Sequence, residues 1–121
     1  MHDLPAFPHH RLDAWRVSLE MAVLVRQLGD RIPRGHRSLA DQMVRAAQST
    51  VLLVAEGANR TGTGEKRQRF SLARGECGEC AAALELAAAL GLVPTEDAAA
   101  ALALCGRVGA MLTRLVQRFA R

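Results

Sequence analysis

Three clusters of helix breakers, Ile32-Pro33-Arg34-Gly35, Thr61-Gly62-Thr63-Gly64 and Gly91 with Pro94, cut the chain into long uninterrupted runs. Proline lacks a backbone donor and glycine is costly to order, so such clusters stop helices. Pro5 and Pro8 make residues 1–12 an irregular start. The runs that remain predict helices over about 13–30, 37–58, 63–90 and 95–120. Asp13, Thr63 and Thr95 are candidate caps, and Glu96 and Asp97 suit the positive end of the last helix. Short connections between helices this long make neighbours antiparallel. The expected fold is all-α: an antiparallel up-down four-helix bundle over residues 13–121.

Composition agrees with one close-packed helical domain. Of 121 residues half are apolar but only 3% are aromatic, so the core is built mainly from Ala, Leu and Val, which disfavours a β-sandwich. Phase adds a second requirement. In the third run Phe70, Cys77, Ala81, Leu84 and Ala88 share one face, while Leu72, Leu86 and Leu90 line another with Glu79 between them. The first run repeats this, with Val17, Met21, Leu24 and Leu28 on one stripe and Trp15, Leu19 and Ala22 on the other. A monomeric bundle needs only one stripe per helix. Two stripes predict a homo-oligomer in which the outer stripes of the first and third helices meet a second subunit.

In the second run Gln42, Arg45, Ser49 and Glu56 fall in one narrow sector, a polar stripe bordering apolar surface. An arginine buried there needs a carboxylate, which Glu56 or Glu79 could supply, so these five residues are read as a structural polar network that fixes helix register.

The same residues carry a resemblance. The segment Gln42-Met43-Val44-Arg45-Ala46-Ala47-Gln48-Ser49, then Ala55-Glu56-Gly57 and Arg60, then Glu65, Arg69-Phe70, Ala73, Gly75 and Glu79, resembles the 23S rRNA intervening-sequence protein family. That family is in turn similar to the accessory variability determinant of diversity-generating retroelements. Leu53, Thr50 and Glu76 stand where the family pattern has Asn, Ile and Ser. The resemblance implies a four-helix bundle assembling as a homopentamer, without known catalytic activity. In the retroelement branch it implies binding to nucleic acid and to a reverse transcriptase through a basic surface.

A net charge of +4 with a pI near 9.8 makes nucleic acid the first partner to consider, although fifteen of the sixteen basic residues are Arg, a bias that GC-rich codon usage also produces. The densest positive cluster, Arg60, Lys66, Arg67, Arg69 and Arg74, surrounds the Thr61–Gly64 hinge, whose backbone amides beside a helix start suit a phosphate. In the last run Arg107, Arg114, Arg118 and Arg121 fall within about 60° of one another, a ladder able to follow a phosphate backbone or simply a solvated helix face. Tyr is absent and the single Trp15 has a core-like phase, so charge and shape, rather than base stacking, would govern recognition.

Other chemistry lacks its motif. No Gly-Lys-Ser/Thr ending makes a P-loop, no Gly-x-Ser-x-Gly elbow positions a nucleophile, and no Glu-x-x-His repeat makes a di-iron bundle. Cys77-Gly78-Glu79-Cys80 lies inside a helix rather than at a loop or helix start, and His2, His9, His10 and His36 fit no ligand spacing, so no metal and no cofactor are expected. Three cysteines, no signal peptide and arginines interrupting each apolar run point to the cytoplasm, with no membrane partner. The expected function is that of a non-enzymatic oligomeric accessory protein binding RNA or DNA mainly through phosphates. The alternative is an oligomeric protein–protein interaction scaffold with no nucleic-acid role.

Overall fold

The computed structural model describes residues 6–120. Four helices follow in order: α1 (Asp13–Asp30), α2 (Arg37–Asn59), α3 (Thr63–Ala89) and α4 (Thr95–Arg118). The start is less irregular than expected, because Pro8–Arg11 forms a 3-10 turn; a second such turn, Arg34–His36, leads into α2. No strand occurs among the described residues.

Each helix packs on its sequence neighbours, and α1 closes the ring against α4. Contacts at the ends fix the directions. Lys66 near the start of α3 reaches Gly57 and Ala58 at the end of α2, Arg31 just past α1 pairs with Asp97 in the first turn of α4, and Phe70 early in α3 stacks on Phe119 just past α4. The arrangement is an antiparallel up-down four-helix bundle.

Helix ends follow local chemistry. Asp13, Thr63 and Thr95 are first helical residues rather than caps; Leu12, Gly62 and Pro94 hold the extended cap conformation, and no side-chain cap bond forms at those ends. At the far end of α3, Gly91 has φ +72° while its N–H bonds Ala88 O (3.0 Å) and the Leu92 N–H bonds Ala87 O (2.9 Å). That pair of bonds is a Schellman closure, which needs the left-handed residue that glycine supplies without strain.

The core combines Met21, Val25 and Leu28 of α1, Met43, Ala46, Ala47 and Val54 of α2, Phe70, Cys77, Cys80 and Leu84 of α3, and Ala101, Val108 and Leu112 of α4. Ala81 and Ala88, expected in it, are half-buried, and Ala73, Cys80 and Ala87 take the interior. Buried hydroxyls are satisfied locally: Ser18 donates to Trp15 O and Thr50 to Ala46 O, both at 2.8 Å. The outer stripes are on the surface, with Leu19, Leu72, Leu86 and Leu90 exposed together with Val23 and Leu52. Trp15 and Ala22 are half-buried.

Contrary to expectation, α4 is long and apolar enough, by length and composition, to cross a membrane. In the bundle its Ala98, Ala101, Cys105, Val108 and Leu112 are core residues.

Candidate nucleic-acid interface

The α2–α3 seam organises most of the residues that the sequence singled out. Arg45 projects from the middle of α2 between two carboxylates of α3, with Nη1 3.3 Å from Glu76 and Nη2 2.5 Å from Glu79. One turn before α2 ends, Glu56 accepts from Arg69 Nε at 3.1 Å and lies 3.8 Å from Arg60. Next to it, Gly57 meets the ring of Phe70. The proposed network is therefore two separate clusters, and its central arginine is not buried: the Arg45 side chain is 55% exposed. Gln42 is exposed and Ser49 half-buried, and neither makes a side-chain bond to the two clusters. Glu76, a departure from the family pattern, supplies the second partner of Arg45.

The hinge cluster is largely engaged inside the chain. Lys66 donates to Gly57 O (3.3 Å) and Ala58 O (2.8 Å), so its ammonium seals the negative end of α2. Arg67 donates to Phe119 O at 3.3 Å just past α4, while Arg60 and Arg69 share Glu56. The Glu65 carboxylate folds back beside Gly62, over the helix start where a phosphate would sit. Of the five cations Arg74 alone makes no ion pair or side-chain hydrogen bond among the described residues, and it lines an open groove of about 660 Å³ between α3 and α4. A phosphate at the hinge would compete with backbone carbonyls and Glu56 for the same donors.

The ladder on α4 has the opposite character. Arg107, Arg114 and Arg118 are all exposed, share one face, and make no salt bridge among the described residues. The last acidic residue of the helix is Asp97. Arg114 and Arg118 border a groove of about 220 Å³ with Leu12, Asp13, Met111 and Leu115. Arg121 lies outside the described residues.

Two features escaped the sequence reading. Phe119 stacks on Phe70 with centroids 6.0 Å apart and carries Lys66 and Arg118 over its ring at 5.7 and 5.6 Å. Its spacing of seven from Leu112 puts it in phase with the core, and that signal was available. Trp15 is not simply a core residue, because His9 and His10 pack against its indole at 4.8 and 5.5 Å.

The three thiols sit together between α3 and α4. Hydrogen bonding with Cys105, then burial, pushes Cys77 far above the ordinary thiol range. At Cys105 the bond with Cys77 pulls downward, but the one with Cys80 and burial prevail, and the value is pushed up to about 12. Among the described residues no group of three or more His, Cys, Asp or Glu is arranged to hold a metal.

The fold and its surface define an all-α bundle protein with a motif-built seam on one side and a basic helix face on another. The chain belongs to the family described as 23S rRNA-intervening sequence protein, whose model matches residues 10–114. No curated protein matches the chain.

Proposed function

We propose that this protein is a non-enzymatic accessory protein that binds RNA or DNA through phosphate contacts made by the outer face of α4. The observation that carries the reading is the in-phase row Arg107, Arg114 and Arg118, which makes no salt bridge among the described residues, with Arg74 in the neighbouring groove. Side chains already bonded to carboxylates would have to give up those bonds before meeting a phosphate; these four do not. The family's description, which links it to an intervening sequence of 23S rRNA, supports RNA as the first ligand to try.

Self-association is part of the proposal. In antiparallel helices Leu52, one heptad past Arg45, comes beside Leu72, one heptad before Glu79, so apolar side chains flank the surface ion pair. These and the exposed Leu86 and Leu90 farther along α3 are apolar side chains that a homo-oligomer, a pentamer by the family resemblance, would cover, and each added subunit repeats the arginine row.

The test is a titration of structured RNA and duplex DNA, followed by anisotropy at several salt concentrations. Binding that weakens steeply with salt, and is abolished by Arg114→Glu with Arg118→Glu at unchanged helicity, is the expected outcome. Absence of binding at low salt removes the reading. It would favour the scaffold alternative, which the exposed leucines of α2 and α3 also suit.

A further inference from the structure

The turn before α1 is held down by two imidazoles that both act as acceptors. The Phe7 backbone N–H donates to His10 Nδ1 at 3.1 Å. A backbone amide can only donate, so His10 Nδ1 carries a lone pair in this arrangement. His9 Nδ1 lies 2.9 Å from Asn59 Nδ2 at the end of α2. That same amide nitrogen donates to Ala55 O at 2.7 Å, which fixes its orientation, so His9 Nδ1 must also accept. Turning the Asn59 amide over would offer His9 an acceptor but would set an oxygen against the Ala55 carbonyl.

The two rings are 4.5 Å apart, both contact Trp15, and Phe7 stacks on His9 at 5.8 Å. A proton on His9 Nδ1 therefore sets two donors against each other at Asn59 and places a cation against the His10 ring. We propose that Phe7–Arg11 is a histidine-gated latch, docked over Trp15 and the end of α2 while the His9 imidazole is neutral and released when His9 takes up a proton.

Among the described residues the surrounding charges do not rescue the protonated form. Arg11 belongs to the turn itself; on α1, Asp13 is bonded to Arg16; at the end of α2, Glu56 is shared by Arg69 and Arg60. Burial, and then the charge of His10 beside it, hold His9 below the ordinary 6.5. The sign follows by linkage: the released segment binds protons more readily than the docked one, so docking is full at neutral pH and weakens as pH falls below 6.5. Release uncovers the indole of Trp15 next to Leu12, which borders the groove of Arg114 and Arg118.

Trp15 is the only Trp and Tyr is absent, so its fluorescence reports this site alone. The experiment follows emission maximum and acrylamide quenching of the full chain from pH 8 to pH 5, with helicity monitored by circular dichroism. The latch predicts a red shift and easier quenching with a midpoint below 6.5, at constant helicity. The transition should vanish in a His9→Phe, His10→Phe double variant and persist in His36→Gln, whose residue lies at the other end of the bundle. Asn59→Asp, which offers an acceptor to protonated His9, should move release to lower pH. Loss of intensity without a red shift or easier quenching would mean only that a protonated ring quenches a static indole, and it would overturn the latch, as would a midpoint that Asn59→Asp leaves in place.

Discussion

Gly57 and Phe70 are in contact across the α2–α3 seam, so closely that a β-carbon on Gly57 would lie 2.7 Å from Cε1 and 2.8 Å from Cδ1 of the ring. Phe70 is fully buried and stacked on Phe119, so it has little room to retreat. Gly57→Ala is expected to destabilise by about 1–3 kcal/mol through overpacking, offset in part by the roughly 0.5–1 kcal/mol that alanine gains over glycine in a helix. Urea unfolding measures the net loss. In a Phe70→Leu background the alanine should cost much less, and equal costs in both backgrounds would place the strain elsewhere.

Arg45 sits between Glu76 and Glu79 but in contact with solvent. Arg45→Ala is therefore expected to cost no more than about 1 kcal/mol in the isolated subunit, the range of exposed pairs, rather than the 3–5 kcal/mol of breaking a buried one. Thermal and urea melts at low protein concentration check this.

These two seam contacts show what the sequence could and could not disclose. Breakers such as Pro33 and Pro94 mark where helices end without any tertiary information, so the helical class and its up-down order were legible. Large core positions such as Phe70 and Leu84 were legible too. Cys80 and Ala87 were not, because small residues surround α3 on every side and give little contrast between faces. Phase placed Arg45 and Glu56 in one sector but could not say which α3 residue each would meet; Glu56 turned to Arg69 and Arg45 to Glu76 and Glu79. The hinge cations looked free because backbone carbonyls, their main partners, are invisible in a list of side chains. The His9–Asn59 contact spans fifty residues and has no local signature.

The cations of the hinge and of α4 should separate by measurement. Lys66→Ala removes the two bonds that close α2 and is expected to lower stability by about 1 kcal/mol, with little effect on nucleic-acid affinity. Arg107→Ala should leave the melt unchanged and reduce the dependence of log affinity on log salt by about one contact's worth. The reverse pattern would return the interface to the hinge.

Leu72 and Leu52 are 49% and 64% exposed in the subunit, so replacing them disturbs no intramolecular core. Leu52→Glu with Leu72→Glu should shift sedimentation to the monomer while circular dichroism is unchanged. A wild-type chain that sediments as a monomer at high concentration would show instead that this surface is simply wet.

Cys77 and Cys105 should resist alkylation by iodoacetamide at pH 8 in the folded protein and react at once in denaturant, since the bond with Cys105 and burial keep Cys77 protonated, and the bond with Cys80 and burial keep Cys105 so. Their raised values also set a sign for stability. Below pH 9 both states hold the thiol proton and nothing is lost; above it the unfolded chain ionises first, and stability falls as pH rises. Mass spectrometry of labelled peptides and melts between pH 8 and 10.5 test the two statements.

Because α1 begins where α4 ends, with Leu12 and Asp13 against Arg114 and Arg118, the start of the first helix and the end of the last are neighbours, and the Arg60–Gly62 link lies at the same pole. A domain fused directly before Phe7 or after Phe119 would crowd both the arginine row and the turn that carries His9. Joining Phe119 to Phe7 through a linker and opening the chain at Gly91–Pro94 would move both termini to the opposite pole, leaving those surfaces unobstructed in a circular permutant.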